Sequence, residues 1–171
     1  MVAKPTGWYR GKATSPDGTK FKLVFQGIPI HVDRPKGFIM MGRDDKDKPW
    51  ARQYRYDYGF IPRTKGGDGD GIDVFVGPNK DAPESYWAVQ RKSDGSFDEY
   101  KVFLGFDNRD EATAAYRQHI PLKLLSGMVA MKIDMMRAML GIEAEGYQHA
   151  GLEKAAELIG MMSELELMGA P

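Results

Sequence analysis

The chain has 171 residues, 42% of them hydrophobic and 28% charged, with 24 basic and 24 acidic side chains and a formal net charge of zero. This balance fits one ordinary globular domain with room for an appended segment, and it excludes a global-charge argument for direct nucleic-acid or membrane binding. With no cysteine, disulfides and thiolate metal sites are excluded, and carboxylates and three histidines remain as strong ligands, which favours hard, oxygen-seeking cations.

In the first hundred residues, short aromatic and β-branched runs alternate with turn signals, the pattern of strands joined by tight turns. Strands are predicted at Lys20–Phe25, Pro29–Val32, Phe38–Met41, Gln53–Phe60, Ile72–Val76, Tyr86–Gln90 and Glu99–Phe103. After Gly105 the period becomes helical: Asp107 or Asn108 is the expected N-cap, Ala112, Ala115 and Tyr116 share a face, and Pro121 stops the helix. A second helix is predicted from Lys132 to Leu140, ending at Gly141. From Leu152 to Met168 an apolar stripe recurs at helical spacing. The expectation is an α+β fold, a small twisted antiparallel β-barrel of OB-like type followed by helices, with residues 1–141 as the main domain and 142–171 as a C-terminal amphipathic extension. With neither a secretory leader nor an apolar run of about 18 residues, the chain reads as cytoplasmic.

The string most dense in chemistry is residues 58–78, in which Asp68, Asp70 and Asp73 fall within a glycine-rich turn leading into a strand. Glycines let the backbone turn tightly enough for carboxylates to converge, and converging anions call for a divalent cation. An isolated Asp-Gly-Asp is more often a solvated hairpin. An EF-hand is rejected, because Ile72 and Asn79 occupy the positions where that loop needs ligands. A second acidic group, Asp94 and Glu99, flanks another turn, and on a strand Glu99 and Lys101 point to one face. Taken alone, that segment is a surface hairpin with an exposed ion pair. His31, His119 and His149 share no ligand spacing.

Together these motifs resemble the soluble family I inorganic pyrophosphatases. Tyr58-Gly-Phe-Ile, Asp68-Gly-Asp and Asp73-Val match that signature in spacing, as do Asp94, Glu99 and Lys101. Residues 27 to about 140 most closely resemble pyrophosphatase-like proteins of bacteriophages and prophages, through Gly27-Ile-Pro-Ile, Asp73-Val-Phe-Val-Gly-Pro and Phe97-Asp-Glu-Tyr-Lys. Two departures stand out: Gly71 where cellular enzymes carry proline, and Glu99 where they carry aspartate. The resemblance implies Mg²⁺ held by Asp68, Asp73, Asp94 and Glu99, with Asp70 as the general base. Lys101 and Tyr58 would bind phosphate, with Lys36, Arg43, Tyr116 and Arg117 as further binders. Asp33, with Pro35, resembles the family's Glu-x-Pro.

Three readings follow: hydrolysis of pyrophosphate, cleavage of another phosphoanhydride, or a virion structural or decoration protein built on the same domain. The C-terminal stripe must be buried, either by packing back on the chain's own barrel as a core helix or by docking on a second copy or on a phage particle.

Overall fold

A computed structural model of the chain describes residues 21–64, 71–143 and 146–147. Seven strands form one sheet, in the order β1 (Phe21–Phe25), β2 (Ile28–Arg34), β5 (Asp57–Ile61), β6 (Ile72–Val76), β8 (Phe97–Leu104), β7 (Glu84–Arg91) and β9 (Leu125–Lys132). Strands β3 (Ile39–Arg43) and β4 (Pro49–Gln53) make a separate hairpin, and β10 (Ile142–Glu143) pairs with β11 (Gly146–Tyr147). Helix α1 spans Arg109–His119 and α2 spans Ile133–Met139. The α+β class expected from sequence is the one observed. The sheet is mixed rather than antiparallel throughout, because β6 and β8 run parallel, and β1 and β9 lie at its two ends without closing a barrel.

Successive strand residues face opposite sides of a sheet, and here both sides are covered. One core takes Ile30, Ile61, Val74, Trp87, Val102, Leu104 and Val129 from the strands, with Ile133, Met136 and Leu140 from α2 and its end. The alternate residues Phe75, Tyr86, Ala88, Phe103 and Met128 face a second core that α1 closes with Ala112, Ala115 and Tyr116. Two-sided burial explains why β7 and the end of β8 read as continuous apolar runs rather than alternating ones.

Asn108 caps α1, its side chain accepting from Glu111 N–H at 2.9 Å, while the Glu111 carboxylate accepts from Asp107 N–H at 3.2 Å. At the other end of the helix, His119 Nδ1–H donates to Ala115 O at 2.7 Å and Nε2 accepts from Arg55 N–H at 3.0 Å. Burial, with Arg52 and Arg55 nearby, holds His119 below the ordinary imidazole range. It is therefore a neutral core residue.

The run Gln53–Phe60, expected as one strand, is two. Tyr54 leaves the ladder to pair with the turn before β3, its N–H donating to Phe38 O at 2.8 Å and its carbonyl accepting from Gly37 N–H at 2.7 Å. Strand β9 was not expected, because Ser126 and Gly127 interrupt its β pattern; long-range pairing with β7 sets it. The predicted helix Leu152–Met168 lies outside the described residues. Among the described residues no helix is long and apolar enough to cross a membrane.

Gly59 sits where β5 pairs with β2, opposite Val32, and a Cβ there would lie 1.9 Å from His31 O. Gly59→Ala therefore forces the two backbones apart. The expected cost is about 3 kcal/mol, read as a melting temperature lower by about 6–12 °C in calorimetry. A fall of less than about 1 °C would show that the β2–β5 pairing can relax.

Candidate active site

The register of the sheet assembles the site. Asp73 on β6 neighbours Lys101 on β8, Tyr58 on β5 pairs with Phe75, and Gln90 on β7 pairs with Glu99. Because side chains alternate, Tyr58, Asp73, Lys101, Glu99 and Gln90 all lie on the α1 face, at the end where Phe75 and Phe103 stack with centroids 4.9 Å apart. Lys101 is 7% exposed. Its Nζ lies 2.7 Å from Asp73 Oδ2 and 2.8 Å from Glu99 Oε1, and donates to Tyr58 Oη at 3.3 Å. The expected pairing of Glu99 with Lys101 thus exists, but it is sheltered rather than a solvated surface pair.

Burial alone would pull the Lys101 ammonium down; the surrounding Tyr58, Asp73 and Glu99 oxygens outweigh it and hold the group above the ordinary lysine range. Burial likewise raises the Tyr58 phenol, with Lys101 opposing and Asp73 reinforcing. The same face carries Tyr116 from α1. Tyr116 is fully buried, donates to Gln90 Oε1 at 2.9 Å, and is pushed up to about 12 chiefly by burial. It is therefore both a core residue and connected to the site, whereas its neighbour Arg117 is exposed.

Asp94 sits at the tip of the β7–β8 hairpin, accepting from Ser96 N–H at 2.9 Å and Ser96 Oγ at 2.5 Å. Those bonds hold its carboxyl below the usual range. Lys36 is exposed, its backbone N–H donating to Asp57 Oδ1 at 2.8 Å, and Arg43 is turned to the β3–β4 tip, donating to Asp47 O at 2.8 Å. Asp33 lies at a bulge in β2 between the paired residues Val32 and Arg34. Asp68 and Asp70 lie outside the described residues. The segment that carries them is closed at its base by Thr64, whose hydroxyl donates to Ile61 O at 2.6 Å and accepts from Ile72 N–H at 2.8 Å.

Three residues of this region were not anticipated. Gln90 donates to Asp98 Oδ2 at 2.9 Å and to Glu99 Oε1 at 3.3 Å. Asp98 reaches it because the β7–β8 register slips between Gln90 and Arg91. Arg34, opposite Tyr58, donates to Tyr54 Oη at 2.6 Å and lies 5.3 Å from the Tyr58 ring centroid. A glutamine ending an apolar run was a usable signal for Gln90; nothing in the sequence marks the bulge.

The family model described as Inorganic Pyrophosphatase matches residues 6–141. The chain belongs to that family. No curated protein matches it. Among solved structures it is similar to an inorganic pyrophosphatase from Neisseria gonorrhoeae, at 18% identity over 82% of this chain and 92% of that one, with a TM-score of 0.28. It is also similar to an inorganic phosphatase from Anaplasma phagocytophilum, at 17% identity over 88% and 94%, TM-score 0.27. A pyrophosphatase from Helicobacter pylori is 16% identical over 88% and 94%, TM-score 0.27.

For an inorganic pyrophosphatase the two departures now have local explanations. A Cβ at residue 71 would lie 2.7 Å from Phe60 Cδ2 and 3.0 Å from Ile61 O, so proline does not fit where glycine stands. Glu99 meets both Lys101 and Gln90. Among the described residues no cluster of three or more Asp, Glu or His is placed to hold a metal. The described donors Asp73 and Glu99 are carboxylates, which suit Mg²⁺ in kind.

Because Tyr58, Tyr116 and Lys101 all hold their protons more tightly folded than unfolded, their contribution to stability is complete below about pH 10 and is lost as pH rises beyond it. In an alkaline titration followed by phenolate absorbance, Tyr58, Tyr116 and Tyr86, which burial and Glu84 also raise, should ionise late, together with unfolding. Tyr58→Phe should remove one of them. Ionisation of every tyrosine near pH 10 with the fold intact would contradict this burial.

Proposed function

We propose that the chain hydrolyses inorganic pyrophosphate to two phosphates in the presence of Mg²⁺. The observation that carries the reading is the Lys101 ammonium set between Asp73 and Glu99 beneath Tyr58, in a chain of this family. Pyrophosphate brings up to four negative charges, so its hydrolysis needs fixed cations and a proton acceptor for water. In this reading Asp68, Asp73, Asp94 and Glu99 hold Mg²⁺, which when bound supplies positive charge that neutralises the substrate and acidifies water. Asp70 takes the proton of the attacking water, so that one P–O bond forms as the bridging P–O bond breaks. Lys101 and Tyr58 donate to phosphoryl oxygens; Lys36, Arg43 and Arg117 are the further binders, Asp33 is an additional acidic group, and Tyr116, its hydroxyl already given to Gln90, is left as a core residue behind the site.

Phosphate release from pyrophosphate should require a divalent cation and vanish in excess EDTA, and Asp70→Asn should lower turnover about 10²–10⁴-fold with the fold intact. Equal release in EDTA, or near wild-type turnover of the variant, would remove the metal or the base from the scheme.

The likeness to phage proteins and the apolar stripe of residues 152–168 support a second proposal, that the C-terminal segment docks on another copy or on a particle. Deleting residues 146–171 should leave a soluble domain that cleaves pyrophosphate but self-associates less, as measured by light scattering on a sizing column. An insoluble product would assign the segment to the domain's own core.

A further inference from the structure

Gln90 closes a run on β7, Ser85 to Gln90, in which every side chain is buried. A buried amide is costly unless both its ends are satisfied. Here they are satisfied by groups with fixed roles. Asp98 and Glu99, as carboxylates, accept from Nε2 at 2.9 and 3.3 Å, and the Tyr116 hydroxyl donates to Oε1 at 2.9 Å. Reversing the amide would aim its carbonyl at two carboxylates, so one orientation is enforced.

The β7–β8 bulge brings Asp98 and Glu99 to the same amide, where two like charges repel. The two Nε2 protons give each carboxylate its own donor, and Glu99 Oε1 is further held by Lys101 at 2.8 Å. Tyr116, anchored in the α1 core, fixes the far end of the chain of bonds.

We infer that Gln90 is a positioning residue: its amide hangs Glu99 and Asp98 from Tyr116 and so fixes where the Glu99 carboxylate stands beside Lys101. The inference rests on the hydrolase reading above. Gln90 acts through Glu99, and Asp98 joins the site through it.

The test uses the full chain and two measurements on Gln90→Leu and Tyr116→Phe: Mn²⁺ affinity by calorimetry without substrate, and kcat and KM for pyrophosphate with Mg²⁺. Gln90→Leu keeps a side chain of similar bulk but gives neither hydrogen bond. It should weaken Mn²⁺ binding and lower kcat, each by about 10–100-fold, in line with other residues that orient metal ligands. KM should move by less than about 3-fold, because Lys101 and Tyr58 stay in place. Tyr116→Phe, which keeps its ring in the core, should shift both quantities the same way by a smaller factor. The double variant should be no worse than Gln90→Leu, since both cut one chain.

A role confined to stability would lower the melting temperature and leave Mn²⁺ affinity and kcat at wild-type values; that result overturns the inference. Should Gln90→Leu fail to fold, Tyr116→Phe decides by the same criterion. A wild-type chain that neither cleaves pyrophosphate nor binds Mn²⁺ overturns the hydrolase reading and this inference with it. An active wild type beside an indifferent Gln90→Leu overturns the inference alone.

Discussion

Taking an ammonium out of water costs several kcal/mol unless close oxygens replace its hydration, and Lys101 meets that demand from three neighbours. Asp73 comes from β6, Tyr58 from β5 and Glu99 from two residues earlier on β8 itself. The parallel pairing of β6 with β8 is what sets Asp73 beside Lys101. A slip of one residue in that ladder would turn the ammonium toward the opposite core. The charged site and the strand register therefore specify one another.

The rest of the architecture serves this arrangement from behind. Phe75 and Phe103 lie two residues beyond Asp73 and Lys101 on the same strands, so the charged edge continues into a stacked aromatic layer that α1 seals. On the opposite face α2 and the strands bury a second layer. A sheet packed on both sides deforms little, which suits a site whose function depends on the separation of fixed charges.

What could be read from sequence was what obeys a short period. Ile72–Val76 is a strand with the expected limits, Asn108 is the cap, and the two-residue spacing of Glu99 and Lys101 did place them together. What was missed depends on distant partners. Strand β9 exists because β7 offers a free edge, and Tyr54 breaks the run Gln53–Phe60 because Phe38 and Gly37 take its backbone bonds. Asp98 enters through an irregularity in pairing that no local residue preference announces, and Gly71 is explained only by how close Phe60 stands. The parallel β6–β8 pair, likewise, follows from β7 lying outside β8, a matter of topology rather than of any run of residues.

Thr64 has a consequence for how the acidic segment can change over time. By joining Ile61 O and Ile72 N–H through one hydroxyl, it fastens the two ends of residues 65–70 to the sheet independently of what lies between them. The end of β5 and the start of β6 are thus joined by a hydroxyl that involves no aspartate, so replacing the acidic side chains leaves this join between the strands in place.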